Sequence, residues 1–391
     1  MLPRDFTEEQ NMFRDAYRKF LAAEVNPHME QWREDGIIDR SLFRKAGEQG
    51  LLMVWPDEKH GGIGDADFRF EQVIIEETAY ARAGDWYNTL HSRLVGPYLT
   101  RFGSEEQCDR FLPKCVSGEC VLAIAMTEPD AGSDLAGMRS TAVEEDDHWV
   151  LNGSKVFISN GINADLVIVA AKTDPENNPH AMTLFLVERG MEGFERGANL
   201  KKMGLKAQDT AELFFNDVKV PKANVLGEPG KGFFYLMEGL AEERLIGACG
   251  YLSAAQVSYD LVADYVKERK AFGKPLAAFQ NTQFKLAELR TELDMAQTYV
   301  DQCVAAQNAG ALTAVDAAKA KLYCSELQVS AADIGVQLHG GNGYMDEYPI
   351  SRQYTDAKIS TIYAGTSEVM KIIISRDCLS EDYQSISTRN F

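Results

Sequence analysis

Cysteine chemistry is thin in this chain. Its 391 residues hold seven cysteines, an odd number, with no C-x-x-C pair and no metal-like spacing to any of the six histidines. A disulfide framework and a zinc site are both unsupported. Positive charge is scarce too: 40 Lys+Arg face 59 Asp+Glu, a formal charge of −19, and long basic runs are absent. Such a surface repels nucleic acid and anionic lipid, so neither is expected as a partner. No apolar stretch approaches the ~20 residues of a membrane span. The sequence has no internal repeat, and no low-complexity segment beyond a polar tail from Ser380. The opening MLPRDFTEEQ reads as the start of an acidic helix rather than a signal or transit segment, so a reducing, aqueous compartment is expected.

What is present is a globular composition, 45% hydrophobic and 25% charged, arranged in three textures. From Phe6 to about Gly118 apolar residues recur at three- and four-residue spacing. Thr7 is placed to cap a first helix that ends near Asn26-Pro27, and further helices fit Phe70 to Ala81 and Asn88 to Arg101. From about Leu122 to Lys231 short β-rich runs take over (LVIVAA, MTLFLVE, AELFF, VKVP), separated by turn clusters such as Asp174-Pro175. Within HWVLNGSKVFI, Asn152-Gly153 predicts a two-residue hairpin turn. After Gly232 helices return, over Phe233 to Lys270, Thr282 to Gln307, Val315 to Leu338 and Ser367 to Leu379, with glycines at the stops. Helices, then strands, then helices exclude a Rossmann chain, which would alternate. The expected fold is α+β and multidomain: an N-terminal helical domain over 1–120, a β-barrel-like middle domain over 121–231 and a C-terminal four-helix bundle over 232–391.

Several segments could carry chemistry. TEPDAGSD, Thr127 to Asp134, can turn backbone N–H groups and the Ser133 hydroxyl toward an anion or a heteroaromatic edge, or can simply be a well-capped turn. In FISN, Phe157 to Asn160, an aromatic precedes a hydroxyl, a pair able to lie beside a flat ring and bond its edge. Arg269, Phe272 and Gln280 cluster after one helix, and the glycines of QLHGGNGY permit close backbone approach after another. Glu243 is the most informative residue. It projects from an apolar and small-residue stripe with Leu236, Leu240, Gly247 and Gly250, where the glycines leave room for a ligand. Desolvation there suits a base that takes a proton from carbon; the other reading is an ion pair with a neighbouring helix. Arg244 points about 100° away around the helix and is placed to hold a phosphate or to face solvent.

Taken in order, KHGGIG, TEPDAGSD, LNGSKVFISNG, KMGLKAQDTAELFF, ERKAFGKPLAAFQ, QLHGGNGYMDEYP and DAKISTIYAGTSE resemble the acyl-CoA dehydrogenase family over nearly the whole chain, its long-chain branch above all. The resemblance implies non-covalent FAD held by Ile124, Met126, Thr127, Gly132, Ser133, Phe157, Ile158 and Ser159 of one subunit. It implies that Arg269, Phe272, Gln280, Gln337, Leu338, His339, Gly340 and Gly341 reach the same dinucleotide from a neighbouring subunit, and that Thr366, Ser367 and Glu368 close over its adenine side. The implied reaction introduces a trans α,β double bond into an acyl-CoA, by removal of an α-proton and transfer of a β-hydride to flavin N5. The family's commonest pattern places the catalytic glutamate where this chain has Ala364. The long-chain and isovaleryl branches instead carry it on the long helix before an arginine, which is the arrangement of Glu243-Arg244. Glu243 is then the base, the Ala364 N–H helps polarise the thioester carbonyl, and Ser133, Tyr235, Arg244 and Gly365 are substrate contacts. Asp130 stands where the family more often has glycine. An electron-transfer flavoprotein as acceptor, a homotetramer built as a dimer of dimers, and a bacterial cytoplasm, or a mitochondrial matrix after loss of a presequence, complete the expectation. Three alternatives stay open: an inactive acyl-CoA or flavin binder, an isovaleryl- or terpenoid-type dehydrogenase for branched acyl groups, and an acyl-CoA oxidase, which the lack of an extra carboxy-terminal domain disfavours.

Overall fold

Backbone type changes where the hydrophobic spacing changes. The structure, a computed structural model, describes residues 3–64, 67–174, 178, 181–380 and 383; Pro175 of the expected turn and most of the polar tail lie outside them. Two compact units divide between Gly239 and Leu240.

The first unit begins with helices α1 (Glu8–Phe20), α2 (Met29–Asp35), α3 (Ser41–Glu48), α4 (Phe68–Tyr80), α5 (Gly96–Phe102) and α6 (Glu105–Val116). Thr7 does cap α1: its hydroxyl accepts the Gln10 N–H at 3.1 Å while the Gln10 side chain accepts the Thr7 N–H at 3.0 Å. Ser104 and Gln107 start α6 in the same way. Asn26-Pro27 does not end the helical run as expected. A π turn, Leu21–Val25, and a 3-10 turn, Asn26–His28, lead directly into α2. Proline is tolerated in a first turn, where its missing N–H has no partner to lose.

Strands β1 (Leu122–Ala125), β2 (Thr141–Glu144), β3 (His148–Ser159), β4 (Leu166–Lys172), β5 (Met182–Glu188), β6 (Phe194–Asn199), β7 (Thr210–Pro221) and β8 (Val225–Leu226) form one sheet. Its path is β6-β7-β3-β2-β4-β5-β8, with β1 parallel to β4. LVIVAA shows no alternation because both of its faces are covered. Leu166, Ile168 and Ala170 pack with Leu112 and Leu99 of the helices, whereas Val167, Val169 and Ala171 pack with Trp149, Phe185 and Phe215.

The hairpin expected at Asn152-Gly153 is not there: β3 runs straight through it, and AELFF and VKVP are likewise one strand, β7. The pairing of β3 with β7 slips between Leu151 and Gly153. The Asn152 amide exchanges two 2.9 Å bonds with Asp217, and Gly153, at φ +145°, brings its Cα so close to Ser140 that a Cβ would sit 2.2 Å from the Ser140 Oγ. The glycine is needed for a bulge and a close approach, not for a turn.

The second unit holds most of α7 (Gly232–Glu268), a two-stranded hairpin of β9 (Lys270–Ala271) and β10 (Lys274–Pro275), and α8 (Gln280–Asn308), α9 (Ala314–His339), α10 (Pro349–Ala357) and α11 (Ser367–Cys378). Arg4 belongs to it, holding Asp301 through two 2.7 Å bonds. The long helices fall where spacing put them. Helix α10 was not foreseen: it is short, opens on Pro349 at its first turn, and buries Ile350 completely. Helices α8, α10 and α11 all pack on α9.

Candidate active site

Residues 242–249 of α7 are buried throughout, so the helix has no solvent face at this level. Three consecutive charges stand there: Glu242, Glu243 and Arg244 are 5%, 7% and 6% exposed. Arg244 therefore does not reach solvent. Burial holds its guanidinium below the ordinary arginine range, against the pull of Glu243, and its Nε has no partner among the described residues. An orphaned buried N–H costs about 1–3 kcal/mol, which marks the place as built for something more than packing. The space beside Gly247 is not left for a ligand: a Cβ there would lie 2.7 Å from the Tyr251 hydroxyl, which fills it.

The loop before α11 bends through two consecutive left-handed residues, Ala364 at φ 53° and Gly365 at φ 91°. Glycine adopts this freely, whereas alanine is strained by roughly 1–2 kcal/mol. From α9, Lys321, fully buried, donates from Nζ to the Gly365 carbonyl at 2.6 Å. Burial, and then the nearby Arg244 charge, bring its pKa down to about 8. The α7 arginine and the 364–365 loop thus converge on one ammonium. Thr366 caps α11 by accepting the Val369 N–H at 3.3 Å; the Ser367 hydroxyl is buried and has no partner among the described residues, and Glu368 is exposed.

At another end of this unit Tyr265 is a pivot. Its ring stacks on His339 at 4.0 Å, its hydroxyl donates to the His339 carbonyl at 3.2 Å, and the Asn342 amide donates back to it at 3.0 Å. Its own carbonyl accepts the Arg269 N–H. His339 is spoken for, donating from Nδ1 to Gly335, and burial lowers its pKa. Around this pivot Arg269, Gln280, Gln337, Gly340 and Gly341 are exposed and Leu338 is half-buried, while Phe272, at φ 51° on the hairpin tip, is 96% exposed.

In the first unit the TEPDAGSD loop is closed tightly: Glu128 and Ala131 exchange backbone bonds of 2.9 and 3.2 Å, so aspartate serves at position 130, where its carboxylate meets Arg139 at 3.1 Å. Beneath it lies a pair that sequence reading missed. Lys155, fully buried on β3, donates to the Met126 carbonyl at 3.1 Å and to Glu128 at 2.8 Å; Glu128 also accepts the Arg139 and Ser140 N–H groups. A second slip in the β3–β7 register, between Lys155 and Ile158, holds Phe157 at φ 62° and 67% exposed. A bulge re-aims a side chain in this way. Ile158 is buried at 3% exposed, Ser159 is half-buried, and Gly132 and Ser133 are exposed. Thr127, Ile124 and Met126 are half-buried, and Ile124 and Met126 pack on the core. Tyr235 is engaged locally, stacked on Phe102 at 4.2 Å with its hydroxyl accepting the Glu228 N–H at 3.1 Å.

Residues 7–119 match the N-terminal domain of acyl-CoA dehydrogenases, 123–218 the middle domain and 230–379 the C-terminal domain. This chain belongs to the acyl-CoA dehydrogenase family. It is 48% identical to the mitochondrial long-chain specific acyl-CoA dehydrogenase of Sus scrofa over 97% of this chain and 88% of that one. The crystal structure of an acyl-CoA dehydrogenase from Geobacillus kaustophilus superposes with a TM-score of 0.95 at 49% identity, covering 97% of this chain and 100% of that one. An acyl-CoA dehydrogenase from Bacillus anthracis, solved in complex with FAD, superposes with a TM-score of 0.88 at 32% identity, covering 96% and 67%. The N-terminal helical, middle β-sheet and C-terminal helical parts of this acyl-CoA dehydrogenase are those of its relatives. Among described residues no group of three or more His, Cys, Asp or Glu could hold a metal, and no helix is long and apolar enough to cross a membrane.

Proposed function

We propose that this acyl-CoA dehydrogenase acts on long-chain thioesters, with Glu243 as its base and FAD as its cofactor. The observation that carries the proposal is a carboxylate buried at Glu243, in a chain whose position 364 is alanine. Each residue supplies the reason for the other. The 48% identity to a long-chain enzyme supports the acyl class.

The residues fit a flavin dinucleotide. In the first unit the Phe157 ring is exposed and a methyl added at Gly132 would meet nothing within 4 Å; in the second unit the same open space lies at Gly340 and Gly341, and the buried Ser367 hydroxyl lacks a partner among the described residues. FAD, when bound, would supply the acceptor for the two electrons that leave with the β-hydrogen. The remaining work belongs to the protein. A thioester α-hydrogen is too weakly acidic for a carboxylate unless the carbonyl is polarised, and the Ala364 N–H, presented by its left-handed turn, would donate to that oxygen. Glu243 would take the α-proton, and its dry surroundings keep water from competing. Arg244, with its spare Nε and positive charge, would favour the negative charge that develops on the thioester.

The assembly is read as a homotetramer that hands electrons to an electron-transfer flavoprotein, in a bacterial cytoplasm or a mitochondrial matrix. Anaerobic bleaching of the flavin by straight and branched acyl-CoAs tests the function. Rapid bleaching by long straight chains is expected; no bleaching by any acyl-CoA would leave a binding protein instead.

A further inference from the structure

We propose that Lys321 is a positioning residue for the thioester-polarising N–H, holding the Ala364-Gly365 turn in its reactive shape through the Gly365 carbonyl. The inference rests on Ala364 being that donor. Lys321 is fully buried on α9, and its ammonium makes no close ion pair among the described residues: Glu326 and Glu368 act on it only from a distance, and its hydrogen bond goes to a backbone carbonyl, 2.6 Å away. An ordinary structural ion pair therefore does not account for it, and a methionine would fill the same space without bringing a charge out of water.

What the ammonium does have is a strained partner. Alanine leaves the left-handed region unless its surroundings over-determine it. If Ala364 relaxed, the Tyr363–Ala364 peptide would turn and carry its N–H away from the direction in which it now points. A charge-assisted bond to the next carbonyl opposes that relaxation. Arg244 lies close enough for the two cations to repel, so both add positive potential where negative charge would develop on a thioester oxygen.

The test compares wild type with Lys321→Met as flavin-loaded proteins. Two quantities are read: the carbonyl stretching frequency of a bound, carbonyl-labelled acyl-CoA, and the rate of anaerobic flavin reduction. The expected result is that Lys321→Met binds flavin and acyl-CoA, that its carbonyl stretch moves back toward that of the free thioester, and that reduction slows about 10- to 100-fold. An unchanged stretch and rate in a flavin-loaded variant overturns the proposal. Should Lys321→Met not fold, Lys321→Gln, which keeps a polar group in the niche but ends short of Gly365, replaces it with the same two outcomes. A wild type that bleaches while its bound carbonyl shows no shift overturns the role of the turn; a wild type that never bleaches overturns the dehydrogenase reading itself.

Discussion

Lys155 and His91 show what single buried groups do here. Lys155 has traded water for Glu128 and the Met126 carbonyl, and the same carboxylate anchors two N–H groups of the following loop. Lys155→Met should cost about 3–5 kcal/mol, because it strands a buried carboxylate. Adding Glu128→Leu should recover only part of this, since the Arg139 and Ser140 N–H groups then lose their acceptor; chemical denaturation of wild type and the two variants checks it. His91 is fully buried between α6 and β1: the Leu122 N–H donates into Nδ1 at 3.1 Å, so Nε2 carries the proton and gives it to the Cys115 carbonyl at 3.0 Å. A second proton on Nδ1 would face that N–H, and burial lowers the pKa to about 4. Between pH 6.5 and 4 the unfolded ring therefore binds more protons than the folded one. Stability is full above that window and falls as pH drops through it. Thermal unfolding from pH 7 to 5 should show the decline, and His91→Gln, which titrates nothing, should flatten it. Neither residue was legible in the sequence, because nothing local marks a lysine in a strand, or a histidine in a helical run, as buried.

At the scale of elements, legibility followed the range of the forces. Helix ends set by neighbouring residues were readable: Thr7 caps α1, and glycines stand past α8 and α9. Ser104 and Gln107 carry the same signal for α6 and were overlooked. Ser104→Ala should lower stability by about 1 kcal/mol, read as a drop in midpoint denaturant. Asn152-Gly153 misled because a turn and a bulge both ask for glycine; what decides is Ser140, twelve or more residues away in the chain and far beyond any local pattern. Gly153→Val should destabilise by roughly 1–3 kcal/mol, read as a drop in midpoint denaturant. The bulge that exposes Phe157 escaped for the same reason: register is a property of two strands. So the motif could be named from FISN, but its geometry could not.

At the scale of the molecule, order of textures gave the three-part architecture, and the run of motifs gave the family, whereas the convergence of Arg244 and the 364–365 turn on Lys321 depended on helices nearly eighty residues apart in the chain. The hairpin tip offers a prediction about assembly. In the proposed homotetramer Phe272, 96% exposed on that tip, would be covered by a neighbour. Phe272→Asp should weaken flavin retention and shift the sedimentation profile to smaller species without loss of helical content. The central claim, however, is that the buried α7 carboxylate is the base. Its most direct test is Glu243→Gln, isolated with its flavin and mixed anaerobically with a long-chain acyl-CoA. The account predicts a yellow protein that binds the thioester yet bleaches at least about 10²–10⁴-fold more slowly than wild type; bleaching at the wild-type rate would contradict it.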